Sequence, residues 1–230
     1  DNRALPGIKL NVVMGRHAGF LTAAAALARQ EASDGPHLVY VPEKPFDLER
    51  FAARVDEIYS TLGRCQIAVS EGIQNERGES IGATLISGEA DAHGNVQLSG
   101  SGALGDQLAD SLKQKLTPAG GKPPRVRADT LGYPQRCYPD ASPVDQCEAR
   151  GVGRFAVESA SKEHADGSIA IVRSDSVEYG AAYKRLELSD VAAKTRHMPE
   201  EWIEGDDNVT AAFIEWLRPL VGEMPVVGRV

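Results

Sequence analysis

The chain has 230 residues, room for one large domain or two smaller lobes, and its 42% hydrophobic and 25% charged content is ordinary for a globular protein with a real core. A formal net charge of −8 excludes a general nucleic-acid or membrane-surface binder, because phosphate backbones and anionic headgroups would be repelled. Any anionic ligand must then be held by a local basic cluster.

In chain order, residues 8–13 are β-prone and predict a buried strand. Val13-Met14-Gly15-Arg16-His17-Ala18-Gly19-Phe20 reads as a strand end, a tight glycine turn and a helix start, which the alanine-rich residues 22–29 continue. Residues 37–41 predict a second strand, closed by Pro42. Residues 48–62 place Phe51, Ala52, Val55, Ile58, Tyr59 and Leu62 at helical spacing. Residues 66–69 predict a third strand, followed at once by Ser70-Glu71-Gly72. This alternation predicts an α/β fold, a mostly parallel sheet covered by helices. Ligands of such sheets sit at the carboxyl ends of the strands, so Gly15–Arg16 and Glu71–Gly72 are expected at one site.

Residues 74–98 are polar and irregular and read as an insertion or loop. Residues 106–116 predict an amphipathic helix, and the Pro, Gly and Lys of 117–124 a linker or hinge. A long helix is expected over 144–161, with Cys147, Val152, Phe155, Ala156 and Ala160 buried. Residues 168–174 predict a strand, and 209–217 a final helix stopped by Pro219. There is no internal repeat or low-complexity tract.

Several residues carry possible chemistry. Arg16, between glycines at a strand-to-helix turn, is placed to bind an anion beside backbone N–H groups; the plain alternative is a surface arginine. Glu71 reads as an acceptor for sugar hydroxyls or as a carboxylate complementing a helix N-terminus, and local sequence does not separate the two. Lys122, Arg125, Arg127 and Arg136, against the single acid Asp129, form the basic cluster that the net charge requires, with Tyr133 adding a hydroxyl. Gly100-Ser101-Gly102-Ala103-Leu104-Gly105 matches GxGxxG. The stretch before it is short, and Arg125 stands where a dinucleotide fingerprint needs an acid, so a glycine-rich turn is preferred over a nicotinamide site. The histidines at 17, 37, 93, 164 and 197 have no metal-ligand spacing. Cys65, Cys137 and Cys147 show no CxxC pattern and fit a reducing cytoplasm. No apolar run approaches the ~20 residues of a membrane span, and neither a membrane partner nor a signal peptide is expected.

Met14-Gly15-Arg16 with His17-Ala18-Gly19, Val69-Ser70-Glu71-Gly72, and Leu131-Gly132-Tyr133-Pro134-Gln135-Arg136 together resemble the phosphofructokinase family, more closely its pyrophosphate-dependent branch. Tyr133 stands where ATP-dependent bacterial members typically carry histidine, and the polar insertion also looks like that branch. Residues 198–203 and 218–222 look familial too. The resemblance implies helix-covered, mostly parallel sheets in Rossmann-like lobes. It implies phosphoryl transfer from pyrophosphate to the 1-hydroxyl of fructose 6-phosphate, with Mg2+ bound mainly through the donor. Met14, Gly15, Arg16, Glu71, Arg127, Tyr133 and Arg136 would contact the sugar phosphate, with Arg16 nearest the chemistry. Arg127 would reach the site across a dimer interface, in a cytoplasmic homodimer or homotetramer.

The family's glycine-rich donor loop and its Thr-Ile-Asp motif are not found. The resemblance therefore implies the C-terminal part of a longer enzyme, one whose isolated chain exposes apolar surface. Its expected divisions are a fructose 6-phosphate lobe over 1–134 with an insertion at 74–105, a segment returning to the donor lobe over 135–200, and a C-terminal helix and tail over 201–230. Lys9 or Arg3 stands near where the family often has an arginine before the methionine. ATP as donor, and a non-catalytic sugar-phosphate-binding or regulatory subunit, remain alternative readings.

Overall fold

A computed structural model describes residues 5–82, 102–163, 166–174, 176 and 178–225. The chain divides into two compact units, Asp1–Cys137 with His197–Ile214, and Tyr138–Arg196 with Glu215–Val230.

The first unit is built on a parallel four-stranded sheet of β1 (Gly7–Val13), β2 (Leu38–Tyr40), β3 (Arg64–Ser70) and β4 (Val126–Thr130), in the order β2-β3-β1-β4. Alternate residues of β1 and of the first half of β3 enter the core, and all three residues of β2 are buried. Ile8, Leu10, Val12, Leu38, Tyr40, Cys65, Ile67 and Val69 pack with side chains of two helices, α2 (Leu48–Leu62) and α3 (Ala103–Lys115), into one core. Short α1 (Phe20–Ala24) lies against β2 and β3.

Helix α2 matches its predicted span because its ends are marked locally. The Asp47 carboxylate accepts from the Arg50 N–H at 2.7 Å, and Gly63 ends the helix in the left-handed conformation, φ +68°. Its buried Phe51 stacks edge-on to Tyr40, with ring centroids 5.3 Å apart. In α3, Leu104, Leu108 and Leu112 repeat every four residues toward the sheet. Residues 116–125 join α3 to β4 inside the first unit, so the expected linker or hinge at 117–124 does not separate the two units.

Two further expectations need correction here. The alanine-rich helix is interrupted: α1 gives way to a 3-10 turn, Ala25–Ala28. Arg29 fixes that end, its guanidinium donating to Pro36 O at 2.5 Å and to Asn208 Oδ1 at 2.7 Å. Strand β4 was hidden by its charges, since Arg127 and Asp129 occupy the exposed positions of a strand at the sheet's edge.

The second unit contains α5 (Pro143–Glu163) and an antiparallel hairpin of β5 (Ser168–Arg173) and β6 (Ala181–Leu186). The buried stripe of α5 is rotated from the expected one. Glu148 and Ser159 are buried, Val152, Phe155 and Ala156 are half-buried, and Cys147 and Ala160 are exposed. Burial of Glu148 is made possible by Tyr179, whose hydroxyl donates to its carboxylate at 2.5 Å. Helix α6 (Ala211–Val221) contains Pro219, which does not stop it; the ring falls in the last turn, where it removes a single N–H.

Most of the expected insertion, with Gly100, Ser101 and His93, lies outside the described residues, as does His164. Of the GxGxxG run, Gly102 caps α3 with φ +72°. Gly105 lets α3 approach the sheet, since a β-carbon there would sit 3.0 Å from Ala128 Cβ.

Candidate active site

Three neighbouring parallel strands end together. Val13 of β1 is in register with Ser70 of β3, and Val12 with Thr130 of β4. The residues that follow are the 14–19 turn, Glu71–Gly72, and Leu131 leading into α4 (Gly132–Arg136). All three sequence motifs are thus delivered to one carboxyl edge by topology alone.

Hydrogen bonds lock these turns to one another. Glu71 N–H donates to Val13 O at 2.9 Å, and Leu131 N–H to Val12 O at 2.8 Å. Ser70 Oγ donates to Gly15 O at 2.6 Å and accepts from Gly72 N–H at 3.1 Å. Met14 N–H donates to Gln135 Oε1 at 2.9 Å, which ties α4 to the first turn. Gly15 has φ +134°, and a β-carbon there would lie 2.5 Å from Ala18 O, so the turn requires glycine. Gly72 is required for a different reason, close approach: its β-carbon would lie 1.9 Å from Arg16 O.

Met14, Gly15, Arg16 and Glu71 are therefore brought together through direct backbone contact. Tyr133 and Arg136 join them on α4, held through Gln135. Glu71 is buried at 6% exposure, Arg16 is half-buried, and Tyr133, at 66%, and Arg136 are exposed. Arg127 is not delivered to this edge. It sits on the exposed side of β4, in register with Lys9, three residues before the strand ends. Lys9 is ion-paired with Asp129, and Arg3 lies outside the described residues.

Sequence reasoning missed the residues that assemble the edge. Ser70 and Gln135 lay inside the quoted motifs, but their bridging role depends on strand order. Glu43 accepts at Oε1 from Gly19 N–H at 3.0 Å and from Met198 N–H at 2.9 Å, and no motif marked it.

The edge combines backbone N–H groups, a guanidinium and a buried carboxylate, suited to orienting a hydroxylated anion rather than to covalent catalysis. Burial pushes the Cys65 thiol up to about 12, so it supplies no nucleophile. A cavity of about 500 Å³ lined by Cys147, Arg150, Arg154, Phe155 and Tyr183 lies in the second unit and is built from none of the three motifs. The site is recognised by convergence of strand ends, not by cavity size.

Such a parallel α/β lobe, with glycine turns and polar groups gathered at its carboxyl edge, defines a ligand-binding class of fold. Comparison with known proteins narrows the class. The sequence profile described as Phosphofructokinase matches residues 9–160. The chain is 51% identical over 234 residues to the pyrophosphate–fructose 6-phosphate 1-phosphotransferase of Rhodospirillum rubrum, covering 100% of this chain and 56% of that protein. It is 38% identical over 210 residues to the protein of the same name from Halomonas elongata, covering 91% and 48%. The crystal structure of the pyrophosphate-dependent phosphofructokinase from Marinobacter aquaeolei superposes with a TM-score of 0.73 at 29% identity, over 98% of this chain and 50% of that one. The chain spans about half the length of these relatives. It belongs to the phosphofructokinase family.

Proposed function

We propose that this chain carries the sugar-phosphate half of a pyrophosphate-dependent 6-phosphofructokinase. The complete enzyme would transfer a phosphoryl group reversibly from pyrophosphate to the 1-hydroxyl of fructose 6-phosphate, giving fructose 1,6-bisphosphate and orthophosphate. The observation that carries this reading is the convergence of the 14–19, 71–72 and 131–136 turns at one sheet edge. The names of its relatives and the tyrosine at 133 favour pyrophosphate as donor.

Phosphoryl transfer asks the protein mainly for positioning and for charge stabilisation. In this reading the Glu71 carboxylate accepts from sugar hydroxyls, while Met14 and Gly15 shape the floor beneath the ring. Arg136 and Tyr133 hold the 6-phosphate at the mouth, where their exposure leaves them free to meet a ligand. Arg16 stabilises negative charge on the moving phosphoryl group. Arg127, on an edge strand and away from the turns, serves the site of a partner subunit, which makes the enzyme a homodimer or homotetramer. A donor-facing role for residues 135–200, a tail role for 201–230 and a cytoplasmic location belong to the same proposal; no described helix is long and apolar enough to cross a membrane.

Magnesium is the ion expected to neutralise the donor's oxygens. Among the described residues no group of three or more His, Cys, Asp or Glu is placed to hold a metal. The ion would be carried on the donor, and no step assigned to these residues runs through it.

Calorimetric titration of the full-length protein with fructose 6-phosphate tests the reading. Saturable binding is expected, weakened roughly tenfold or more in Glu71→Gln, which replaces a charged acceptor with a neutral one. Equal affinity in both proteins would remove Glu71 from the site.

A further inference from the structure

We propose that Glu43 is a positioning residue that holds the Arg16 turn in its ligand-binding geometry. Glu43 follows β2 through Val41 and Pro42, far in sequence from any site motif. Its Oε1 accepts two backbone N–H groups from separate segments, Gly19 at 3.0 Å and Met198 at 2.9 Å. Its Oε2 is buried without a hydrogen-bond partner. That oxygen lies against Gly19, where an added β-carbon would come 2.8 Å from it and 2.5 Å from Val41 Cβ. A bare backbone at 19 is what lets the carboxylate in.

Beside the Met14–Gln135 hydrogen bond, three contacts hold the turn that carries Arg16. Ser70 Oγ holds Gly15 O, Gly72 abuts Arg16 O, and Glu43 holds Gly19 N–H. The first two clamps come from the neighbouring strand end. The third ties the turn to residue 198, which precedes the 3-10 turn Glu200–Trp202. Glu43 is half-buried, and burying one of its carboxylate oxygens without a partner is costly; hydrogen bonds to a charged acceptor are stronger and shorter than those to a neutral one. That cost falls at a segment whose displacement would move Arg16. An error of about 1 Å at such a segment is enough to cost on the order of a hundredfold in rate.

The kinetic part of this inference rests on the proposed sugar-phosphate reading, and its test separates the two. In the full-length enzyme, Glu43→Ala is expected to lower kcat/KM for fructose 6-phosphate by roughly ten- to a hundredfold while leaving the KM for pyrophosphate within about twofold. Glu43→Gln keeps an oxygen acceptor and restores most of the loss. In an Arg16→Lys background, Glu43→Ala should cost little more, because both changes act through one turn. Equal losses in the two backgrounds, or a parallel rise in both KM values, would overturn the proposal. Hydrogen–deuterium exchange gives a readout that needs no substrate. Glu43→Ala should speed exchange in peptides covering 15–24 and 197–203 and leave the β1 and β3 peptides as in the wild type. Unchanged exchange at 15–24 overturns the proposal whatever the activity. Should Glu43→Ala fail to fold, Glu43→Asp, which withdraws the carboxylate by one methylene, is read in the same assay. A wild type inactive with fructose 6-phosphate refutes the substrate reading alone, and exchange still decides the role of Glu43.

Discussion

A β-carbon added to Gly72 would lie 1.9 Å from the carbonyl oxygen of Arg16. The end of β3 and the turn after β1 are therefore in backbone contact, and no side chain fits between them. Gly72→Ala must push the Arg16 turn away or unseat Glu71. It is expected to destabilise the protein by about 1–3 kcal/mol, the usual cost of overpacking, and to abolish turnover. Gly63→Ala is the comparison: nothing lies within 4 Å of its β-carbon, and only its φ of +68° resists the change. That variant should lose ~1–2 kcal/mol in thermal or denaturant melts and keep its activity.

Arg136 lies on the exposed side of α4, so removing it should hardly affect stability. Arg136→Ala in the full-length enzyme is expected to raise the KM for fructose 6-phosphate by roughly thirtyfold or more, the effect of leaving a phosphate without its partner. Steady-state kinetics measure this directly, and unchanged constants would take Arg136 out of the site.

His37 makes stability depend on pH. Its Nδ1 accepts from Gln66 N–H at 2.8 Å, and Nε2 pairs with Ser33 O at 3.2 Å. Burial holds its pKa below the ordinary 6.5, outweighing the hydrogen bond to Ser33 O that favours the protonated ring. The folded state thus prefers the neutral ring, and the unfolded chain binds the proton first as pH falls. The stability this group contributes is complete above about 6.5 and is lost as pH drops through the folded-state value. Melts from pH 8 to 5 should show a loss that shrinks in His37→Gln.

Phe51 is fully buried between Tyr40 and Phe46. Phe51→Ala should cost about 3–5 kcal/mol by leaving a void under the sheet. Denaturant unfolding of the variant checks this.

The second unit should open before the first. Its hairpin has only two strands, and Ile171, Val172 and Val157 are 43%, 40% and 68% exposed, whereas Leu10 and Ile67 are fully buried. Hydrogen exchange in the 230-residue chain should be faster in β5 and β6 than in β1 and β3. Equal protection would contradict this.

Legibility in the sequence followed how local each signal was. Helix α2 was readable because Asp47, the apolar spacing and Gly63 all act within a few residues. The ends of β1 and β3 were readable because apolar runs stop at glycine turns. Strand β4 was not, since an edge strand lets Arg127 and Asp129 face outward and read as a basic loop. The stripe of α5 was misplaced because Glu148 is buried only by virtue of Tyr179, 31 residues away. The same holds at the site. Arg16 and Glu71 announced themselves, but Ser70, Gln135 and Glu43 act through strand order and through contacts that span up to 155 residues.

The most direct measurement is the formation of fructose 1,6-bisphosphate by the full-length protein from fructose 6-phosphate and magnesium, with pyrophosphate and ATP supplied in parallel. Product formed with pyrophosphate, and lost in Arg16→Ala, is the expected result. Turnover with ATP alone would overturn the assigned donor. Failure with both donors by folded protein that still binds the sugar phosphate would mean a binding subunit rather than an enzyme.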